Sequence, residues 1–164
     1  FGQHAWRHCR IRVQWSCRDL RLMQASDVAG DHVNFEVDRI ADGQATERHN
    51  LLHPTAKPQA SFVEQQLAST TGPVVASTDY MKNYAEQIRS FIPKGRGYKV
   101  LGTDGFGRSD FRAKLREHFE INRHYIVVAA LKALSEEGSV PAEKVAQAIK
   151  KYGINADKVN PLYA

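Results

Sequence analysis

Apolar positions in this chain fall into short, well-punctuated groups from residue 42 onward and lose their order before it. Two proline-marked points, Leu52-His53-Pro54 and Lys57-Pro58, predict an extended connection, because proline disfavours helical backbone in the residue before it. Phe62, Val63 and Leu67 then predict a short helix, Thr71-Gly72-Pro73 a turn, and Pro73-Val74-Val75-Ala76-Ser77 a buried strand. Met81, Tyr84, Ile88 and Phe91 share one face of a helix expected to run to Pro93. The turn Gly95-Arg96-Gly97 leads into a second strand, Tyr98-Lys99-Val100-Leu101-Gly102. Ser109 or Asp110 is placed to cap a helix carrying Phe111, Leu115 and Phe119. Asn122 caps the next helix, whose apolar stripe is Ile126, Val127, Ala130, Leu131 and Leu134, with Gly138 at its left-handed end. Pro141 opens a last helix with Val145, Ala148, Ile149 and Tyr152 inward, and Asn160-Pro161 begins a tail that cannot extend it.

Strands alternating with helices predict an α/β domain with a mainly parallel sheet flanked by helices. The N-terminal 1–41 stand apart from 42–164. Their stretch from Trp6 to Arg18 crowds Arg, Cys and Trp without helical period, and only Ile11, Val13 and Trp15 alternate as a short strand would. No repeat or low-complexity tract interrupts the chain.

The 164 residues are 42% hydrophobic and 25% charged, ordinary for one domain with one core. A formal charge of +5 raises nucleic-acid binding as a reading. The cations are instead interleaved with carboxylates, as in Arg112-Ala113-Lys114-Leu115-Arg116-Glu117, so they read as solvated helix faces and no nucleic-acid partner is expected. No apolar run reaches the length that spans a bilayer, and the opening residues lack the apolar core of a signal peptide, so the reading is no membrane and a cytoplasmic location. Cys9 and Cys17, in a C-x7-C spacing, fit neither a zinc knuckle nor a redox pair and read as reduced thiols.

Four groups carry possible chemistry. The loop Gly102-Thr103-Asp104-Gly105-Phe106-Gly107-Arg108-Ser109-Asp110 lies between strand and helix, where free amides suit an anion. Its G-x-x-G-x-G spacing is neither the dinucleotide fingerprint nor a P-loop. It reads as a tight turn with positive-φ glycines, or alternatively as a small-anion or nucleotide-binding module over 102–110. His4, His8, Cys9 and Cys17 have metal-ligand types but no supporting second shell. Glu47-Arg48-His49-Asn50 with His53 lacks a nearby nucleophile and reads as a surface turn. His118 and His124 read as a helix-end pair, not a catalytic one.

Two stretches carry a family resemblance. Asp42-Gly43-Gln44 through Asn50-Leu51-Leu52-His53-Pro54, and Val74-Val75-Ala76-Ser77-Thr78-Asp79-Tyr80-Met81-Lys82 onward to Asp157-Lys158-Val159-Asn160-Pro161, resemble the carboxyl end of the single-chain, homodimeric E1 components of bacterial pyruvate dehydrogenase complexes. More distantly, Phe106-Gly107 with Ser109 resembles the Phe-Gly-x-Ser loop of transketolase C-terminal domains. The resemblance implies a transketolase C-terminal-like fold in an enzyme that decarboxylates pyruvate with thiamine diphosphate and magnesium. It implies the rest of E1, a second E1 subunit and the E2 dihydrolipoyl acetyltransferase as partners. The family's cofactor motif and pyrimidine-activating glutamate have no counterpart here. No catalytic, cofactor-binding or metal residue is therefore carried over, no cofactor is expected on these residues alone, and they are expected to be inactive by themselves. Asp104, Arg108 and Asp110 are the expected interdomain contacts, set against a local Arg108–Asp pair. Where family members have Trp, this chain has His49. Before Asp42 the quoted motifs fade, and 1–41 read as a shifted or mis-joined stretch that leaves the first strand and helix incomplete.

Overall fold

The structure, a computed structural model, describes residues 34–164. The strand expected at Ile11, Val13 and Trp15, the His4/His8/Cys9/Cys17 group and most of the expected mis-joined stretch lie outside them. Helix α1, Asn34–Leu52, runs through position 42 without a break. The Glu47–His53 group thus sits on its last turns and the residue beyond, not in a surface turn. What ends the helix is the following Pro54: His53 still donates its amide to the His49 carbonyl at 3.0 Å, and the chain then turns.

Helix α2, Phe62–Leu67, starts on a reciprocal capping box. Ser61 Oγ accepts from the Glu64 amide at 3.3 Å, and Glu64 Oε2 accepts from the Ser61 amide at 2.7 Å. Asp42 of α1 accepts from the Phe62 amide at 2.6 Å, which ties the two helices end to side.

Strands β1, Val74–Ser77, and β2, Tyr98–Leu101, pair in parallel, with Val74 opposite Tyr98 and Ser77 opposite Leu101. The connection between them holds helix α3, Lys82–Glu86, then a tight 3-10 turn, Arg89–Phe91. This corrects the expected continuous helix to Pro93. A proline ring at 93 would press on the carbonyl of Arg89 four residues back, so the last turn tightens and Ile92 goes extended. The expected stripe is corrected with it. Ala85, Ile88, Phe91 and Ile92 are buried, whereas Met81 and Tyr84 are half exposed.

The core gathers Val63, Leu67, Val74, Ala76, Ala85, Ile88, Phe91, Ile92 and Tyr98. Alternation sends Val74 and Ala76 to that side of β1, and the helix Arg123–Glu136 lies against both strands. Helix α4, Arg112–His118, starts one residue after Phe111, which is 65% exposed, and buries none of its residues. Helix α5, Arg123–Glu136, begins as expected at Asn122, whose Oδ1 accepts from the amides of His124 and Tyr125. It buries Ile126, Ala130, Ala133 and Leu134, while Val127 and Leu131 are only half buried. Gly138 closes it with φ +77°, and helix α6, Ala142–Lys151, packs back against it through Val145 and Ala148. The chain is thus α/β, helices around a small parallel sheet.

Candidate functional site

Both strands end at the same edge, and the segments that follow them meet there. Thr78 donates to the Leu101 carbonyl at 3.0 Å, and Thr103 donates its amide to the Tyr80 carbonyl at 2.9 Å and its hydroxyl to the Asp79 carbonyl at 3.0 Å. In parallel α/β sheets this carboxyl edge is the usual position of a site.

The loop 102–110 owes two of its glycines to close packing. A Cβ on Gly102 would lie 2.7 Å from the Tyr80 carbonyl oxygen, and one on Gly105 would strike the Pro161 carbonyl. Gly105 also takes φ +111°; Gly102 and Gly107 do not take positive φ, contrary to expectation. Three segments therefore touch: 78–84, 102–107 and the tail from Asn160. On their outer side Tyr80, Met81, Tyr84, Phe106, Leu162 and Tyr163 are exposed, Phe106 at 76% and Tyr163 at 77%.

The three charged residues expected as contacts part company. Asp104 turns inward on its own domain. Its Oδ1 accepts from the Lys82 amide at 3.0 Å and its Oδ2 stands 3.5 Å from Lys82 Nζ, so it caps α3 from another segment. Arg108 is exposed and has no carboxylate partner among the described residues; no local Arg108–Asp pair forms. Asp110 accepts from the adjacent Phe111 amide at 2.7 Å, which spends the carboxylate one residue short of helix capping. Neither it nor Ser109 caps α4.

Behind this edge lies an open cleft of about 560 Å³ lined by Arg108, Ser109, Asp110, Lys114, Leu115, Glu117, His118, Tyr125 and Lys158. Lys158 closes it from the C-terminal segment, donating to the carbonyls of Glu117 at 3.1 Å and His118 at 2.6 Å. His118 is held below the usual imidazole range by burial first, then by Arg108 and Lys158, with Glu120 opposing.

Sequence reasoning missed Arg96, which looks like one more turn cation. It donates to the carbonyls of Gly72 at 2.6 Å and Leu67 at 3.1 Å and to the Thr70 hydroxyl at 3.0 Å, locking α2 to the strand entry. Arg89 likewise forks onto Glu86 at 2.6 and 2.8 Å and reaches the Tyr98 carbonyl. Non-local carbonyl partners leave no trace in a linear pattern. At the other end of the domain His49 and His53 stack at 4.3 Å, with Gln59 on His49 Nε2 at 3.0 Å. His124 stacks on Tyr152 at 4.6 Å, apart from His118. Among the described residues no three His, Cys, Asp or Glu side chains gather closely enough to hold a metal ion. No helix among them is long and apolar enough to cross a membrane.

Comparison with known proteins gives a consistent answer. Residues 9–122 match the family described as the transketolase-like TK C-terminal domain. The chain is 60% identical over 121 residues to the pyruvate dehydrogenase E1 component of Pseudomonas aeruginosa, covering 74% of this chain and 14% of that protein. It is 57% identical over 158 residues to that of Haemophilus influenzae and 52% identical over 158 residues to that of Escherichia coli K12. Each of those matches covers 96% of this chain and 17% of the relative. The likeness thus reaches ahead of Asp42, and the chain spans only a small part of its relatives' length.

Proposed function

Because the chain belongs to the family of transketolase-like C-terminal domains, we propose that it is the supporting carboxyl-terminal domain of a pyruvate dehydrogenase E1 component and works by docking on the rest of that enzyme. The whole enzyme would decarboxylate pyruvate with thiamine diphosphate and magnesium and pass the acetyl unit to the lipoyl group of E2. In this reading the coenzyme lies in the other domains, and this chain alone is inactive. It shapes the approach to the site and contributes to contact with the second E1 subunit.

The observation that carries the reading is the apolar face of Tyr80, Met81, Tyr84, Phe106, Leu162 and Tyr163 at the carboxyl edge of the sheet. Soluble proteins seldom leave such a cluster in water without a partner for it. With relatives about six to seven times longer than the matched stretch, the occupant we assign is the remainder of the same enzyme. Of the charged residues expected as contacts, exposed Asp110 is the one this reading assigns to the neighbour, while Asp104 serves indirectly by fixing α3 and hence Tyr84.

A chimaera tests this. Grafted in place of the matched segment of the Pseudomonas aeruginosa component, the chain is expected to give an assembled enzyme that decarboxylates pyruvate. Phe106→Ser with Tyr163→Ser should then weaken assembly and activity together. Decarboxylation by the 164 residues alone, or a double variant indistinguishable from the parent chimaera, would refute the proposal.

A further inference from the structure

The cleft behind the loop shares no lining residue with the apolar face, and its electrostatics are incomplete as they stand. Arg108 enters it with no carboxylate or carbonyl partner among the described residues, yet lies near enough to act on His118. A second cation, Lys158, is already committed to the main-chain carbonyls of Glu117 and His118 and, at 3.6 Å, to Glu120. Lys114 faces in from α4 with only the exposed Glu117 beside it, 3.6 Å away. His118 Nε2 is shielded from solvent and has no hydrogen-bond partner. A shielded ring nitrogen without a partner calls for a missing one. Tyr125 and Ser109 add hydroxyl donors; burial, then Glu120 and Glu117, hold the Tyr125 phenol above its usual range, so it keeps its proton.

We infer that this cleft is a binding site for a small oxyanion, a carboxylate or phosphate group seated on the Arg108 guanidinium with Ser109, Lys114, Tyr125 and His118 around it. The guanidinium fork matches the paired oxygens of either group. Asp110 and Glu117 on the rim limit the net positive charge and so favour a compact anion of low charge over a polyanion. The glycine amides of 102–107 are not the cradle, because two of the three glycines are occupied in packing.

The test is nuclear magnetic resonance on the 164-residue chain, titrated with inorganic phosphate and separately with sodium acetate at constant ionic strength. The expected result is saturable shifts, in the millimolar range, at the Arg108 side-chain Nε–H and the His118 ring. The His118 titration should move to higher pH at saturation, since a bound anion offsets both burial and the two cations. Saturation by one probe and not the other names the ligand class. Arg108→Gln should cost about tenfold or more in affinity, as loss of a charge-assisted pair does. Lys114→Gln should weaken it less, and Lys150→Gln, on the far helix, should leave it unchanged. Linear shifts spread over all surface cations would overturn the inference. So would an Arg108→Gln chain that keeps a native spectrum and titrates like its parent.

Discussion

Gly43 sits in the middle of α1, where glycine ordinarily costs a helix about 0.5–1 kcal/mol relative to alanine. Here the Phe91 ring occupies the space a Cβ would take. The glycine is thus what lets α1 lie on the core, and the Glu47-to-Asn50 group that reads as a surface turn folds as its last turns. Gly43→Ala is therefore expected to destabilise the domain by about 1–3 kcal/mol, as overpacking does, where propensity alone predicts a gain. Chemical denaturation with an unchanged m-value checks the sign. The same scale explains Asp104. One carboxylate caps α3 from 22 residues away, a contact no local spacing announces.

At the scale of elements, what was legible in the sequence is what local chemistry decides. Both strands, the short helix at 62–67, the Asn122 cap, the Gly138 terminus and the helix after Pro141 all follow from neighbours within four residues. What was not legible depended on distant contact. The 81–91 stripe has helical spacing, but Pro93 tightens its end and the segments at 102–107 and 160–163 leave Met81 and Tyr84 outward. Phe111, Leu115 and Phe119 read as positions of one helix, yet α4 starts only at Arg112 and has no buried residue. The cap on α5 offers a clean test of a legible feature. Asn122→Ala removes the acceptor of two amides and should cost about 0.5–2 kcal/mol. Hydrogen exchange should place the loss first in the opening turn of α5.

At the scale of the described residues, the two-stranded sheet and its helices enclose one core, and Tyr80, Met81, Tyr84, Phe106, Leu162 and Tyr163 at the sheet's carboxyl edge are exposed. Of the candidate site, the loop was visible from its glycines. The cleft was not, because Tyr125 and Lys158 reach it from helix α5 and from the C-terminal segment, well beyond the loop. Docking through that edge is the central claim. Titration calorimetry of this chain into the separately produced remainder of the Pseudomonas aeruginosa component measures it directly. The account predicts saturable one-to-one association with a negative heat-capacity change, the mark of apolar burial, lost on Phe106→Ser with Tyr163→Ser. No association, or association that the double substitution leaves untouched, would contradict it.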